Sequence, residues 1–115
     1  MHEITRQILA VVTEDWTPTW QIAETIAAMQ GIVDMNTAQF LTFVELTNLT
    51  SAGLLEIKGP ILHDQSTYHN PFEHRLTAEG LKRQTALLAY DAILATRIEQ
   101  ARMRVEDALF GQTPP

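Results

Sequence analysis

Apolar residues recur at helical spacing near the start of the chain and again after a short break. The stripe from Ile4 to Val12 predicts an amphipathic helix of about three turns. A second helix follows the segment DWTPTW, in which Thr17 is a suitable N-cap and Pro18 fits the first helical position. Gly31 interrupts the next apolar stripe and therefore predicts the end of the second helix.

Asn36 and Gln39 have the spacing of a capping box, which predicts the start of a third helix. Gly53 is its predicted stop. Three apolar residues form its predicted buried stripe: Phe43, Leu46 and Leu49. Leu41 and Val44 then point away from this stripe, about 140° to 160° around the helix. The third helix is therefore apolar on two sides, unless it is rotated or the last helix of the chain covers the second side.

Alternation with a period of two replaces the helical pattern after Gly53. The segment LLEIKG predicts one strand, and FEHRL predicts a second strand that returns antiparallel to the first. The intervening segment, ILHDQSTYHNP, is predicted to extend the first strand and to form a loop tip. A two-stranded hairpin is marginal in water, so we expect it to pack against the helices.

A long segment without proline, residues 77–110, is predicted to be mostly helical. Thr77 is its predicted N-cap, although Gly80 lowers helix propensity in the first turn. Its apolar stripe has heptad-like spacing that Asp91 interrupts. The stripe consists of Leu87, Leu94, Ile98, Ala101, Val105 and Ala108. At about 1.5 Å per residue the helix would be roughly 50 Å long, more than a domain of this size can cover.

We therefore predict that the last helix pairs with a second copy of the chain, giving a homodimer. The alternatives are a helix folded back on its own domain and a helix broken near Tyr90 and Asp91. The predicted fold class is mainly α with a small β-hairpin: a winged helix-turn-helix domain over residues 1–76, a long C-terminal dimerisation helix over 77–110 and a flexible tail over 111–115.

Two short motifs resemble the wing region of winged-helix transcription regulators, the PadR and MarR groups in particular. In those groups the third helix ends with leucines ahead of a glycine, as Leu46, Leu49 and Gly53 do here. The returning wing strand runs into a helix through a Leu-Thr-x-x-Gly motif, which residues 76–80 match. The resemblance covers roughly residues 2–84. It implies that the motif ends the wing and that Gly80 allows either a close approach to the body or a bend.

The resemblance also implies a mode of DNA binding. In these families the third helix enters the major groove, the wing touches the backbone or minor groove, and dimers place two such helices about one DNA turn apart. Carried over by position, the groove-facing candidates are Thr37, Gln39 and Asn48. The wing candidates are Lys58, His63, His69 and Arg75, and Arg6 is a further candidate for phosphate contact.

The distribution of charge opposes DNA binding by the third helix. Affinity for DNA comes largely from Lys and Arg, yet none lies between residues 7 and 57. Residues 1–57 contain seven acidic residues and one basic residue, whereas residues 58–115 contain seven of each. Exposed Leu41 and Val44 beside acidic residues suit a protein partner.

The sequence thus favours two functions. The first is a dimeric winged-helix transcription regulator that binds double-stranded DNA. The second is an acidic winged-helix module that binds a protein, or competes for another protein's DNA-binding surface, instead of binding DNA. A small acidic module of this kind would suit a phage or mobile element, although no residue indicates that origin.

Other residue patterns indicate no enzyme, cofactor or metal site. The chain has no cysteine, no glycine-rich phosphate loop and no serine or carboxylate pair in a motif context. Histidines and an aspartate cluster in the predicted wing, but their spacing matches no common zinc or nickel motif, which favours solvated histidines. These residues are His63, Asp64, His69 and His74.

Three aromatic residues, Trp16, Trp20 and Tyr68, could line a ligand pocket, but we expect both tryptophans to attach the turn between the first two helices to the core. A ligand pocket between the last helix and the domain is a further alternative. The early apolar run, residues 8–12, is too short for a signal-peptide core or a membrane span. We therefore expect a cytoplasmic protein.

Overall fold

The computed structural model describes residues 2–59 and 72–109. In chain order the described elements are α1 (Glu3–Val11), β1 (Thr17–Pro18), α2 (Thr19–Gln30), α3 (Met35–Ser51), β2 (Leu55–Lys58), β3 (Glu73–Leu76), α4 (Ala78–Tyr90) and α5 (Ala92–Leu109). This part of the chain is mainly α with a small antiparallel sheet, which confirms the coarse fold class. None of its helices combines the length and apolarity needed to cross a bilayer.

The strands form one antiparallel sheet in the order β1-β3-β2, with β3 in the middle. β2 and β3 pair with Leu55 opposite Leu76 and Ile57 opposite His74, so the antiparallel return of the second predicted strand is confirmed. β1 pairs with the other edge of β3, with Thr17 opposite His74. This third strand was not predicted.

The additional strand changes how α2 begins. Thr17 and Pro18 lie in β1, so the prediction of Thr17 as the N-cap is wrong. Thr19 is the first helical residue, and its backbone N–H donates to the carbonyl of Phe72 at 3.0 Å. α2 ends as predicted, because Gly31 adopts the left-handed conformation at φ 69°.

α3 begins earlier than the sequence pattern predicts. The carboxylate of Asp34 accepts hydrogen bonds from the backbone N–H of Asn36 at 3.1 Å and from the hydroxyl of Thr37 at 2.7 Å. The Thr37 hydroxyl, followed by the Asn36 N–H, lowers the pKa of Asp34. The predicted capping box of Asn36 and Gln39 is therefore wrong: Asp34 is the N-cap, and Asn36 is a donor in the first turn.

Gly80 marks the point where α4 leaves the body. Thr77 caps this helix as predicted, because its hydroxyl accepts from the N–H of Gly80 at 3.0 Å and donates to the carbonyl of Gly53 at 2.7 Å. A Cβ at position 80 would lie 1.8 Å from the carbonyl oxygen of Leu54. Gly80 therefore permits close approach to the body, and α4 continues through it without a break.

The prediction of one long helix over residues 77–110 is wrong. Asp91, at φ −122° and ψ 85°, separates α4 from α5, which is the break that the sequence left as an alternative. α5 folds back onto the body and contributes to one apolar core shared with α1, α2, α3 and the sheet. The α5 side chains in this core are Leu94, Ile98 and Ala101, and Val105 is buried beside them.

Candidate interaction surface on α3

The outward side of α3 carries an exposed surface that is mostly apolar. Phe40 is 68% exposed, Leu41 38% and Val44 39%. Thr37 and Asn48 are also exposed and lie on the same side, because residues three, four and seven apart are neighbours on a helix. These five residues are called the α3 face below.

The opposite side of α3 belongs to the core. Leu46 and Leu49 are buried as predicted, whereas Phe43 is half-buried, with its ring centroid 5.9 Å from that of Phe72. α3 is therefore apolar on two sides, and Leu41 and Val44 point outward as predicted. An apolar surface that its own chain leaves uncovered is typical of an interaction site.

The three groove-facing DNA candidates do not share one surface. Thr37 and Asn48 lie on the α3 face, but Gln39 is half-buried and lies about 200° around the helix from Thr37. The hydroxyl of Thr37 already donates to Asp34, and the side-chain amide of Asn48 donates to Glu45 at 3.4 Å. The polar groups of this side are thus partly engaged in local hydrogen bonds.

Two acidic residues lie along one edge of the α3 face. Glu45 is the one charged residue within α3, and its carboxylate accepts from the hydroxyl of Thr5 at 2.7 Å. Asp34 stands at the N-terminus of the helix. The nearest base in the sequence on the N-terminal side is Arg6, which forms an ion pair with Asp91 at 3.0 Å. Arg6 therefore lies beside the α4–α5 junction, where its charge is already paired.

The two basic wing candidates are also paired. Lys58 lies 3.4 Å from Glu73, and Arg75 lies 2.6 Å from Glu56, across the β2–β3 pair. Both cations lie over the ring of Trp16, at 4.8 Å and 4.3 Å from its centroid. Trp16 thus supports the exposed side of the sheet. The remaining wing candidates, His63 and His69, lie outside the described residues, as does Tyr68.

Three arginines of α5 donate to carbonyl groups at the ends of α1 and α2, where such groups lack helical partners. The pairs are Arg97 with Met29 at 3.2 Å, Arg102 with Val11 at 2.6 Å, and Arg104 with Ala28 at 3.5 Å. Of the chain's eight Lys and Arg residues, only Lys82 and Arg83 on α4 form neither an ion pair nor such a bond within the described part.

His74 lies in the core, so the expectation of solvated histidines is wrong at this position. It is fully buried in β3, and the described residues contain no group of three His, Cys, Asp or Glu placed to hold a metal ion. The Thr19 hydroxyl donates to the Phe72 carbonyl, so the bond at 3.1 Å requires His74 Nδ1–H to donate to Thr19. Nε2 has no partner among the described residues, and burial lowers the pKa of His74 to about 4.

Several open cavities adjoin the last two helices in the described part of the chain, and two of them bear on the predicted ligand pockets. One, of about 340 Å³, lies between α2 and α5 and includes Arg102 and Glu106. The other, of about 400 Å³, lies between α1 and α4 and is lined by Arg6, Leu9, Arg83, Ala86, Leu87 and Tyr90. Neither is lined by Trp16 or Trp20, so the alternative of an aromatic ligand pocket is not found at these two places, whereas the first cavity lies between the last helix and the domain, where the other alternative placed a pocket.

Several features of this surface were not predicted. Phe40 is the most exposed apolar residue of the α3 face, and its position one turn before Val44 could have predicted its exposure. The roles of Trp16 and of the α5 arginines had no such signal, because their partners lie far away in the sequence. No family model, curated protein sequence or solved structure matches the chain.

Proposed function

We propose that this protein is a cytoplasmic winged-helix module that binds a protein partner through the α3 face. The observation that carries the proposal is the exposed, uncharged surface of Phe40, Leu41 and Val44 on the third helix. Without Lys or Arg, this helix offers nothing that neutralises phosphate. Burial of its apolar side chains against a protein would be favourable by about 25 cal/mol per Å².

The order of the elements supports the winged-helix assignment. Three helices come first, with β1 between α1 and α2, and the β2–β3 pair follows α3. The motif at residues 76–80 lies where the resemblance requires it, at the passage from β3 into α4. In this arrangement α3 corresponds to the helix that reads DNA in regulators, and the β2–β3 pair corresponds to the wing.

The charges around α3 indicate the chemistry of the partner. Residues 1–57 contain seven acids and one base, and that base, Arg6, is paired with Asp91. A partner segment with apolar residues flanked by Lys or Arg would complement both the α3 face and its acidic surroundings. The DNA-binding surface of another protein supplies such Lys and Arg residues, so a module that covers it would compete with DNA for that surface.

Binding of a defined peptide tests this proposal. The probe is a fluorescent amphipathic helical peptide of Leu and Lys, compared with a peptide in which Glu replaces every Lys. We expect the Lys peptide to bind with an affinity that falls as salt rises, because screening weakens charge attraction. Phe40→Lys and Val44→Lys should each lower this affinity at least about tenfold, as expected for central apolar contacts.

The matched control is Tyr90→Lys, which places the same charge on a side chain that is 90% exposed on α4. This variant should bind the Lys peptide like the native protein. Equal binding by the native protein, Phe40→Lys and Val44→Lys would contradict the assignment of the α3 face. Equal binding of the Lys and Glu peptides would contradict the basic partner.

A second candidate function is a homodimeric DNA-binding regulator. The observation that favours it is the adjacent pair Lys82 and Arg83, exposed on α4 without an ion pair in the described part of the chain. Such a pair in each subunit would supply four charges to phosphate in a dimer. The α3 face would then read the groove through Thr37 and Asn48.

Anisotropy with a labelled random duplex, at low and then rising salt, separates the two functions. Under the regulator hypothesis, the native protein binds and a Lys82→Ala/Arg83→Ala variant loses most of the affinity. A Lys58→Ala/Arg75→Ala variant should lose less, because those cations are already paired with Glu73 and Glu56. Absence of duplex binding by the folded native protein would exclude this second candidate.

A further inference from the structure

The break between α4 and α5 involves the backbone of a single residue, Asp91. Its N–H donates to the carbonyl of Leu87 at 3.0 Å, and its own carbonyl accepts from the N–H of Ala95 at 3.1 Å. Both bonds join residues four apart and would persist in one continuous helix. Only the three N–H groups of residues 92–94 would gain new helical partners if Asp91 became helical.

The apolar stripe continues in register through the break. Leu87, Asp91, Leu94, Ile98, Ala101 and Val105 follow one another at intervals of four and three residues. Asp91 therefore occupies a position of the seam that would otherwise be apolar. Neither glycine nor proline lies between residues 81 and 109, so nothing in the sequence prevents one helix from Ala78 to Leu109.

Two contacts of the Asp91 carboxylate hold the bend. One oxygen accepts from the N–H of Leu94 at 2.9 Å and caps α5, and the other pairs with Arg6 at 3.0 Å. The bend directs α5 back onto the body, where Leu94, Ile98 and Ala101 join the core. Both contacts are on the surface of the molecule, since the side chains of Arg6 and Asp91 remain 36% and 29% exposed.

We propose that α5 is an exchangeable element whose second receptor site is another copy of this chain. When Asp91 becomes helical, α5 extends beyond its own body and occupies the site on α1 and α2 of a second copy. Exchange in both directions gives a symmetric dimer in which every buried contact of α5 is kept. The difference between the two states is then confined to the cap, the Arg6 pair and three backbone hydrogen bonds.

Two substitutions at the hinge should shift the equilibrium in opposite directions. Asp91→Leu removes the cap and the ion pair and restores an apolar residue to the seam, so it should favour the exchanged dimer. Ala92→Pro should hold the bend, because residue 92 is the first of α5, where proline fits. In the continuous helix the same proline would be internal and would cost about 3 kcal/mol.

Light scattering coupled to size-exclusion chromatography, over a range of protein concentrations, measures the mass of each variant. We expect Asp91→Leu to have twice the native monomer mass, with a dimer dissociation constant at least tenfold lower than that of the native chain. Adding Ala92→Pro to Asp91→Leu should restore the monomer. Asp91→Asn is the matched comparison: it keeps the cap and loses only the partly exposed Arg6 pair, so it should shift the mass distribution far less than Asp91→Leu.

The combined variant also distinguishes exchange from contact between intact surfaces. A dimer of Asp91→Leu that persists with Ala92→Pro would overturn the proposal, because a bent chain cannot exchange α5 in this way. An Asp91→Leu chain that is folded by circular dichroism and monomeric at every concentration would also overturn it. If Asp91→Leu does not fold, the native chain at high concentration is the test: a minor native dimer that Ala92→Pro abolishes supports the proposal, whereas a native dimer that persists with Ala92→Pro, or a native chain that is monomeric at every concentration, overturns it.

Discussion

α3 and α5 are helices of nearly equal length that use their apolar residues in opposite ways. α3 has 17 residues, of which only Glu45 is charged, whereas six of the 18 residues of α5 are charged. α5 buries one apolar stripe in its own domain, and its outer side is mainly charged. Ile93 and Met103 are the exposed apolar residues of this helix among the described side chains. α3 buries one apolar side and leaves the other in solvent. An apolar pattern thus identifies the side chains that need a cover, but not the molecule that provides it.

The outer sides of the two helices therefore indicate which helix needs a partner, whereas their inner sides do not. An apolar stripe with heptad spacing, as in α5, can pack against a partner helix or against the body of the same chain. In this structure it packs against the body. The charged outer side of α5 needs no further cover. The outer side of α3 has no such charges, and this difference is the reason for assigning an interaction surface to the outer side of α3 and not to the outer side of α5.

The largest expected difference in the free energy of unfolding is between one side-chain truncation in α5 and one in α3. Ile98→Ala in α5 should lower the free energy of unfolding by about 4 kcal/mol, because Ile98 is 3% exposed and its loss leaves a cavity. Phe40→Ala in α3 should change it by less than about 1 kcal/mol, since Phe40 is exposed. Urea denaturation measures both, and similar losses in the two variants would contradict the comparison.

Gly80 offers a second test, because its contact with Leu54 determines where α4 leaves the body and hence where α5 can lie. Gly80→Ala should lower the free energy of unfolding by about 3 kcal/mol, since the added Cβ would meet a backbone oxygen at 1.8 Å. Ala89→Ser, on the exposed side of α4, should change it by less than about 1 kcal/mol. A neutral Gly80→Ala in thermal unfolding would show that α4 can shift without loss.

Between about pH 6.5 and 4, mild acid should destabilise the protein through a buried histidine of the sheet. Burial lowers the pKa of His74 from 6.5 to about 4, so the unfolded chain binds a proton more readily than the folded one. His74 therefore contributes full stability above about pH 6.5, and this contribution falls by up to about 3 kcal/mol as pH decreases to about 4. Urea denaturation across this pH range measures the effect.

Two variants sharpen this pH prediction. His74→Phe should remove most of the dependence between these pH values, because it removes the titrating group. Phe40→Ala should keep the native dependence, since the α3 face has no part in this titration. An unchanged pH profile in His74→Phe would refute the role of His74.

The smallest predicted effect concerns the paired cations of the sheet. Glu56→Gln should lower the free energy of unfolding by less than about 1 kcal/mol, because Glu56 and Arg75 are both partly exposed. The same change frees the Arg75 cation, so it should raise affinity for a random duplex at low salt if the β2–β3 pair contacts DNA at all. Unchanged duplex affinity in Glu56→Gln would indicate that the β2–β3 pair does not contact DNA. The α3 face would then be the next surface to test.

Sequence patterns identified the elements whose signals are local. The alternation in β3, the cap at Thr77 and the left-handed Gly31 each depend on neighbouring residues, and each is confirmed. The exposed positions of Leu41 and Val44 followed from helix geometry alone. β1 was missed because two residues give no period, and its pairing with β3 is a long-range contact.

The direction of α5 could not be derived from its apolar stripe. Continuous heptad spacing predicts one long helix, and the preference of Asp91 for an N-cap position competes with that prediction. Whether the helix continues or breaks at Asp91 depends on the Arg6 pair and on the core site for Leu94 and Ile98. Both are long-range contacts. The paired state of Lys58 and Arg75 likewise depends on strand register, which the sequence did not specify.

The C-terminal end of α1 depends on residues that are synthesised much later. The Gln84 side chain donates to the carbonyls of Leu9, Ala10 and Val12, and Arg102 donates to that of Val11. A nine-residue helix is marginal on its own, and these donors are 72 to 91 residues downstream. α1 is therefore synthesised long before the donors that complete its C-terminal end, and translation that stops before α5 leaves the Val11 carbonyl without Arg102.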